Sequence, residues 1–338
     1  MHKNCFKKII LVGILFILFS CGGDKERKFD VDLSEIKQKE ITVKRYEQAL
    51  FSMDKENIKN EIQAIAKEFP VFLQGDLEDS LNVMQLRNFI TDPSIQKLYD
   101  DCEKKYPELK KIEADLAEAF RYYSYYFPND TIPTVYSYVS GGDIEHPVKY
   151  FENNLIIALD MYLGKSYPIY AMWGIPVFIR YKMTKERIVP DCMREIAMSK
   201  MPQNNSGNTL LDNMVNNGKI YYFVELMMPK LEDSINFSYT PQQTDWIQYN
   251  EGNVWGFFVD KNLLYSTDSK NINRFLNDGP FTSAFSKESP PRIGHWIGWK
   301  IIKKYMNENR QISLEEMLAQ DNAQAILNKS KYKPEKKK

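Results

Sequence analysis

Residues 190–201 read PDCMREIAMSKM and match the spacing of a zinc-peptidase helix. Such a helix carries two metal-binding histidines four residues apart and a glutamate beside the first, which activates water. The corresponding positions here are Arg194 and Met198, with Glu195 as the glutamate. A guanidinium stays protonated and cannot coordinate a metal, and zinc prefers cysteine, histidine and carboxylate ligands to a thioether. Both ligand positions therefore hold residues that are unsuited to zinc.

A third ligand would come from the next helix, where residues 216–218 read NNG. Asn217 follows Met198 at a plausible spacing, but an amide oxygen is a weak zinc ligand. The segment has two interpretations: a metal site that has lost all three ligands, or an ordinary core helix that packs through residues such as Cys192 and Ile196. Spacing alone favours the core helix.

Two histidines are candidates for other chemistry. His146 lies in a turn before a proline, and His295 lies in the sequence RIGHWIGWK. They form no H-x-x-x-H pair, and the chain contains no G-x-S-x-G nucleophile motif. Nearby carboxylates such as Asp143 and Glu145 have nothing in the sequence to fix their separation. We expect hydrogen-bonded or surface roles for all of these residues.

The hydrophobic pattern predicts the elements that must position these residues. A short strand begins at Ile41, and apolar residues recur at helical spacing over 54–127, where Asp92 and Pro93 open a new helix. Residues 134–163 are rich in β-branched and aromatic side chains and predict a small antiparallel sheet. Further helices are predicted over 176–183, 189–201, 210–228 and 313–328, the last with a Ser313–Glu316 capping box. The predicted fold class is α+β and mostly helical.

The N-terminus has the features of a bacterial lipoprotein signal. Residues 1–8 carry three lysines, and residues 9–20 form an apolar run that is too short to span a bilayer. A leucine three residues before Cys21, with serine just before the cysteine, matches a lipobox. The sequence therefore predicts a signal peptide over 1–20 and lipid on Cys21, where several acyl chains give a stable membrane anchor.

Charge and composition predict the remaining domain organisation. Residues 21–40 are polar and predict a tether, residues 41–328 one domain, and residues 329–338 a basic disordered tail with six lysines. Removal of the signal peptide leaves 42 basic and 45 acidic residues, a balance that does not favour a nucleic-acid partner. Cys102 and Cys192 remain after processing, and they either form a disulfide or are buried apolar residues.

Three internal segments, together with the lipobox, resemble the gliding-motility lipoprotein family GldB of Bacteroidetes. They are NNLIIALDMYLGKSYPIY at 153–170, IPVFIRYKMTKERIVPDCMREIA at 175–197 and SPPRIGHWIGWKIIKKYM at 289–306. The resemblance implies an envelope lipoprotein that is required for gliding and for the type IX secretion machinery, and that acts with other envelope proteins. GldB sequences are also distantly similar to predicted zinc peptidases of gluzincin type.

That second similarity implies a degenerate gluzincin-like architecture, with Arg194, Glu195, Met198 and Asn217 at the former metal-site positions. The expectation is a pseudoenzyme without metal or cofactor, which binds an envelope protein or peptidoglycan. We expect it on the periplasmic face of the outer membrane. The alternative is a peptide or peptidoglycan hydrolase that uses Glu195. The resemblance transfers no catalytic residues.

Overall fold

The computed structural model of the chain describes residues 31–76, 79–202 and 208–334. The predicted signal peptide, Cys21, the first part of the tether and the end of the basic tail lie outside the described residues. The segment Asp32–Lys338 forms one compact unit. Within the described ranges, none of the helices has the length and apolar character needed to cross a membrane.

A short strand and five helices form the N-terminal part. They are β1 (Val43–Arg45), α1 (Tyr46–Phe51), α2 (Ile58–Ile65), α3 (Ser80–Thr91), α4 (Pro93–Lys105) and α5 (Lys110–Tyr126). The helix start predicted at residues 92 and 93 is confirmed. Oδ1 of Asp92 accepts hydrogen bonds from the backbone N–H groups of Ser94 at 2.7 Å and Ile95 at 3.2 Å. Because these N–H groups have no partner within the helix, the aspartate fixes where α4 begins.

Four strands form a mixed sheet in the order β1–β2–β4–β3. The remaining three strands are β2 (Thr134–Tyr138), β3 (Val148–Phe151) and β4 (Asn154–Ala158). Both β1 and β4 run parallel to β2, and among the described strands only the β3–β4 pair is antiparallel. The α+β class is confirmed, but the prediction that the sheet is antiparallel is wrong.

The connections between the strands explain this mixed pairing. Parallel neighbours need a long crossover, and helices α1 to α5 supply one between β1 and β2. Between β2 and β4 the chain passes through the edge strand β3, so that β4 returns in the direction of β2. The alternation of apolar and polar side chains predicts a strand, but it does not indicate whether the strand runs parallel or antiparallel to its neighbours.

The strand predicted up to residue 163 ends at Ala158, and Leu159–Tyr162 form a 3₁₀ helix. Asp160 in this turn is fully buried. Its carboxylate accepts hydrogen bonds from the backbone N–H of Ser140 at 2.8 Å, from the Ser140 hydroxyl at 2.9 Å and from the backbone N–H of Gly142 at 3.1 Å. A buried carboxylate needs such partners, so these hydrogen bonds stabilise the 3₁₀ helix at the point where the strand ends.

Helices dominate the rest of the chain. They are α6 (Pro168–Met172), α7 (Val177–Arg180), α8 (Ile188–Ser199), α9 (Leu210–Met227), α10 (Asp233–Phe237), α11 (Pro241–Asp260), α12 (Ser269–Leu276), α13 (Ile293–Glu308), α14 (Leu314–Ala319) and α15 (Ala323–Ser330). The helix predicted over 176–183 is reduced to the single turn α7, which has no buried face to extend it. The capping box is confirmed, because Ser313 and Glu316 exchange both hydrogen bonds at 3.1 and 2.7 Å.

The central packing contact joins α9, which is buried on nearly all sides, to α13. Two glycines permit this contact. A Cβ atom on Gly298 would lie 1.7 Å from the carbonyl oxygen of Met214, and one on Gly218 would lie 2.2 Å from the carbonyl carbon of Gly298. Both distances are far below van der Waals contact, so any side chain at either position would force the helices apart. The glycines therefore set the separation of α9 and α13.

Two further expectations concern the cysteines and the C-terminal end. Cys102 and Cys192 are both buried free thiols, so they are buried apolar residues and do not form a disulfide. The hydroxyl of Tyr332 donates to Oε1 of Glu251 at 2.9 Å, and its ring contacts Trp255. The packed part of the chain therefore extends beyond residue 328, where the domain was predicted to end.

Candidate functional site

Helix α8 has two faces in different environments. The buried face consists of the apolar side chains Cys192, Met193, Ile196 and Ala197. On the other side, Arg194, Glu195 and Met198 line a cavity of about 790 Å³. The core-helix interpretation is thus correct for one face, while the other face forms the wall of a cavity.

The cavity lies between α8, α9 and the beginning of α13, and we name it the Tyr221 cavity after the tyrosine in its wall. All four positions taken from the zinc-peptidase spacing line it, including Asn217 from α9. His295 from α13 also lines it. His146, an exposed residue of the turn before β3, is not part of the lining, although its neighbour Glu145 is. The structure therefore brings together residues that are distant in the sequence.

The side chains at the positions that match zinc ligands in spacing do not form a cation site. Arg194 donates from Nη2 to the backbone oxygen of Asn236 and, at 3.0 Å, to its Oδ1. The Asn217 amide donates to the backbone oxygen of Asn213 within its own helix at 2.9 Å, and Met198 is 44% exposed. Among the residues that the structure describes, no group of three or more His, Cys, Asp or Glu side chains could hold a metal ion. A divalent cation would also face the permanent charge of Arg194, so these residues do not fit zinc.

Tyr221 forms the centre of the polar wall. Its hydroxyl accepts a hydrogen bond from Nη1 of Arg292 at 3.0 Å and lies 3.3 Å from Nδ1 of His295. The Arg194 guanidinium lies over its ring, 4.0 Å from the centroid. Burial opposes ionisation of Tyr221, but the charges of Arg194, Arg292 and Lys182 outweigh burial and lower its pKa. Burial and the same cations lower the pKa of His295 far below its usual value, so the imidazole is neutral at pH 7.

Arginines also hold the end of the short helix α10. Nη1 of Arg187 donates to the carbonyl oxygens of Ile235 at 2.5 Å and Asn236 at 2.9 Å, and Nη2 of Arg292 donates to that of Phe237 at 2.6 Å. A helix leaves its last carbonyls without partners, and positive charge is favourable there. Part of each guanidinium is therefore used to position α10.

Two carboxylates balance part of this positive charge. Asp191 pairs with Arg187, and Asp278 lies 2.9 Å from Nε of Arg292 and 2.5 Å from Nζ of Lys182. Burial raises the pKa of Asp278, but the charges of Arg292 and Lys182 outweigh it and hold the pKa below its usual value. Burial and repulsion from Arg292 lower the pKa of Lys182 to about 8.

Glu195 occupies a different electrostatic setting. It is partly buried, and this burial, together with the negative charge of Asp191, raises its pKa to about 7. A carboxyl group with this pKa exchanges its proton near neutral pH, which is a property of general bases. The cavity can therefore do two things: hold an anion against its cationic wall, or move a proton at Glu195.

Comparison with known protein families gives one result that covers most of the chain. The family model described as gliding motility protein GldB matches residues 26–334. The chain belongs to the GldB family. Comparisons with curated proteins and with solved structures gave no match.

The GldB match confirms the resemblance that was based on the lipobox and the three internal segments. As a GldB protein, the chain is a gliding-motility lipoprotein associated with the cell envelope. The matched region contains α8, α9 and α13, and with them the whole Tyr221 cavity. GldB membership thus gives the biological process and does not assign a role to the cavity.

Proposed function

We propose that this chain is a non-catalytic component of the gliding machinery and recognises a partner through the Tyr221 cavity. The observation that carries the proposal is Arg194. It occupies the position that matches the first zinc ligand in spacing. Its guanidinium stacks on Tyr221 and donates to Asn236, so it is held by these contacts in the wall of the cavity. The cavity in this proposal binds and does not cleave.

The setting of this proposal is the envelope. Lipid on Cys21 would attach the chain to the outer membrane, with the folded part on the periplasmic side. The partners would be other envelope proteins of gliding or type IX secretion, with peptidoglycan as a further option. Nucleic acid, metal and cofactor have no role in this proposal, and the near balance of acidic and basic residues supports the first of these points.

Two measurements test the proposal. The first is the metal content of the purified full-length lipoprotein, for which we expect much less than one zinc per chain. The second is gliding of cells that carry Glu195→Gln, which removes proton exchange but keeps the size of the side chain. We expect gliding at the wild-type level, with Glu315→Gln, which changes an exposed carboxylate outside the cavity lining, as the matched control. Stoichiometric zinc, or loss of gliding in Glu195→Gln at normal protein levels, would contradict the proposal.

The second candidate is a hydrolase of peptide or peptidoglycan that uses Glu195 as general base. It is favoured by the raised pKa of about 7 and by the position of Glu195 in the cavity. This candidate predicts that Glu195→Gln accumulates in a folded form and fails to support gliding. The same strain therefore separates the two candidates.

A further inference from the structure

The Tyr221 cavity carries an excess of positive charge in its less exposed wall. Its cationic residues are Lys182, Arg187, Arg194 and Arg292. Its carboxylates are Asp191, Glu195, Asp278 and Glu145, of which Glu145 is an exposed residue in the turn before β3. Four cations against the three other carboxylates leave one positive charge when Glu195 is ionised. The wall therefore favours a ligand with a single negative charge.

Three guanidiniums of the lining have a buried Nε without a hydrogen bond, those of Arg187, Arg194 and Arg292. Two of these lie near carboxylates, because Nε of Arg194 is 3.5 Å from Oδ1 of Asp191 and Nε of Arg292 is 2.9 Å from Oδ1 of Asp278. The side chain of Arg187 is only 6% exposed, and its Nε has no hydrogen-bond acceptor within the described part of the chain. Buried donors are normally paired, so this group points to an acceptor that the chain itself does not supply.

Much of the remaining lining is apolar. The apolar lining includes Met161, Ile179, Met183, Ile220 and Leu276. A ligand that matches both walls has a charged end and an apolar body. A volume of about 790 Å³ lies in the range of small-ligand sites, so the cavity fits the end of a chain and not a folded surface.

We propose that the Tyr221 cavity binds the terminal carboxylate of a peptide whose last residue is apolar. This inference rests on the binding function proposed above. A planar guanidinium can donate two parallel N–H bonds to a carboxylate, and the Tyr221 hydroxyl can donate a third hydrogen bond while it accepts from Arg292. One carboxylate matches the charge excess, whereas a phosphate dianion would exceed it.

The direct test is a titration of the full-length lipoprotein, purified in detergent, with two synthetic peptides. One is N-acetyl-Ala-Ala-Leu with a free carboxylate, and the other is the same peptide with a C-terminal amide. We expect the acid to bind at least tenfold more tightly than the amide in isothermal titration calorimetry. Inorganic phosphate serves as a competitor. Equal affinity for the acid and the amide overturns the proposal. A lower dissociation constant for phosphate than for the acid, measured in the competition titration, overturns it as well.

Tyr221→Phe is the informative variant, because it removes the hydroxyl and keeps the ring. The ring stacks on Phe237 at 4.1 Å and lies under Arg194, so we expect this variant to fold with a normal thermal transition. The acid should bind five- to tenfold more weakly, and the amide should be unaffected. Glu315→Gln, which changes an exposed carboxylate outside the cavity lining, should leave both affinities unchanged. A folded Tyr221→Phe protein that keeps full affinity for the acid refutes the role of Tyr221.

These outcomes are distinct from failure of the proposed function. Zinc in the purified protein, or loss of gliding in Glu195→Gln, contradicts the binding function whatever the peptides do. Suppose instead that the protein is free of zinc and that the Glu195→Gln variant supports gliding. Equal binding of the acid and the amide would then refute only the carboxylate inference.

Discussion

The contact between α9 and α13 predicts a large effect of a single methyl group. In Gly298→Ala the new Cβ would lie 1.7 Å from the carbonyl oxygen of Met214, whereas real Cβ contacts essentially never fall below 3.0 Å. The helices would have to separate by more than 1 Å, because a backbone carbonyl cannot rotate away as a side chain can. Overpacking costs about 1–3 kcal/mol, and we take the upper end here. The better helix propensity of alanine returns about 1 kcal/mol.

We therefore expect Gly298→Ala to lower the free energy of unfolding by about 2 kcal/mol. In a domain of this size that corresponds to a fall in Tm of about 3 °C, which differential scanning calorimetry would detect. The matched control is Gly279→Ala, because a Cβ there would come no closer than 3.5 Å to the carbonyl oxygen of Phe281. The control should stay within about 0.5 kcal/mol of the wild type. A Gly298→Ala protein as stable as the control would show that α9 and α13 do not touch in this way.

Three other predictions concern buried groups. Burial lowers the pKa of Lys219 from 10.5 to about 8. Between these pH values the unfolded state therefore binds more protons than the folded state. The free energy of unfolding of the wild type should accordingly rise with pH across this range, by up to about 3 kcal/mol. Lys219→Met should lack this rise in urea unfolding, and an identical pH profile would contradict the assignment. Arg194→Met removes the cation that contributes most to the lowered pKa of Tyr221, so this pKa should rise. The measurement is a pH titration of tyrosinate absorbance, with Tyr221→Phe identifying the signal of Tyr221. An unchanged pKa would mean that the guanidinium does not lie on the ring. Without reductant, Cys102 and Cys192 should react with a thiol reagent only after unfolding, and a failure to react in denaturant would reveal a disulfide.

Local signals in the sequence predict local structure well. The side chains of Asp92 and Ser313 cap the helices that they were expected to open, because capping depends on residues within one turn. The apolar face of α8 is buried as its spacing indicates. Strand direction was mispredicted because β4 passes beyond its hairpin partner β3 to pair with β2 in parallel, and this strand order is a property of the tertiary structure.

The site was predictable only in part. The zinc-peptidase spacing identified Arg194, Glu195, Met198 and Asn217, and all of them line one cavity. The residue at its centre was missed, because Tyr221 belongs to the run KIYYFVELM, in which no local feature separates one tyrosine from the next. Its partners come from α8 and α13, so its lowered pKa is a property of the tertiary structure.

The contact of Tyr332 with Glu251 has a practical consequence for work in living cells. Residues 333 and 334 are described directly after it, so a fluorescent reporter inserted behind Pro334 would lie within about 1 nm of the folded body. Microscopy of such a fusion would therefore report the position of the folded body itself.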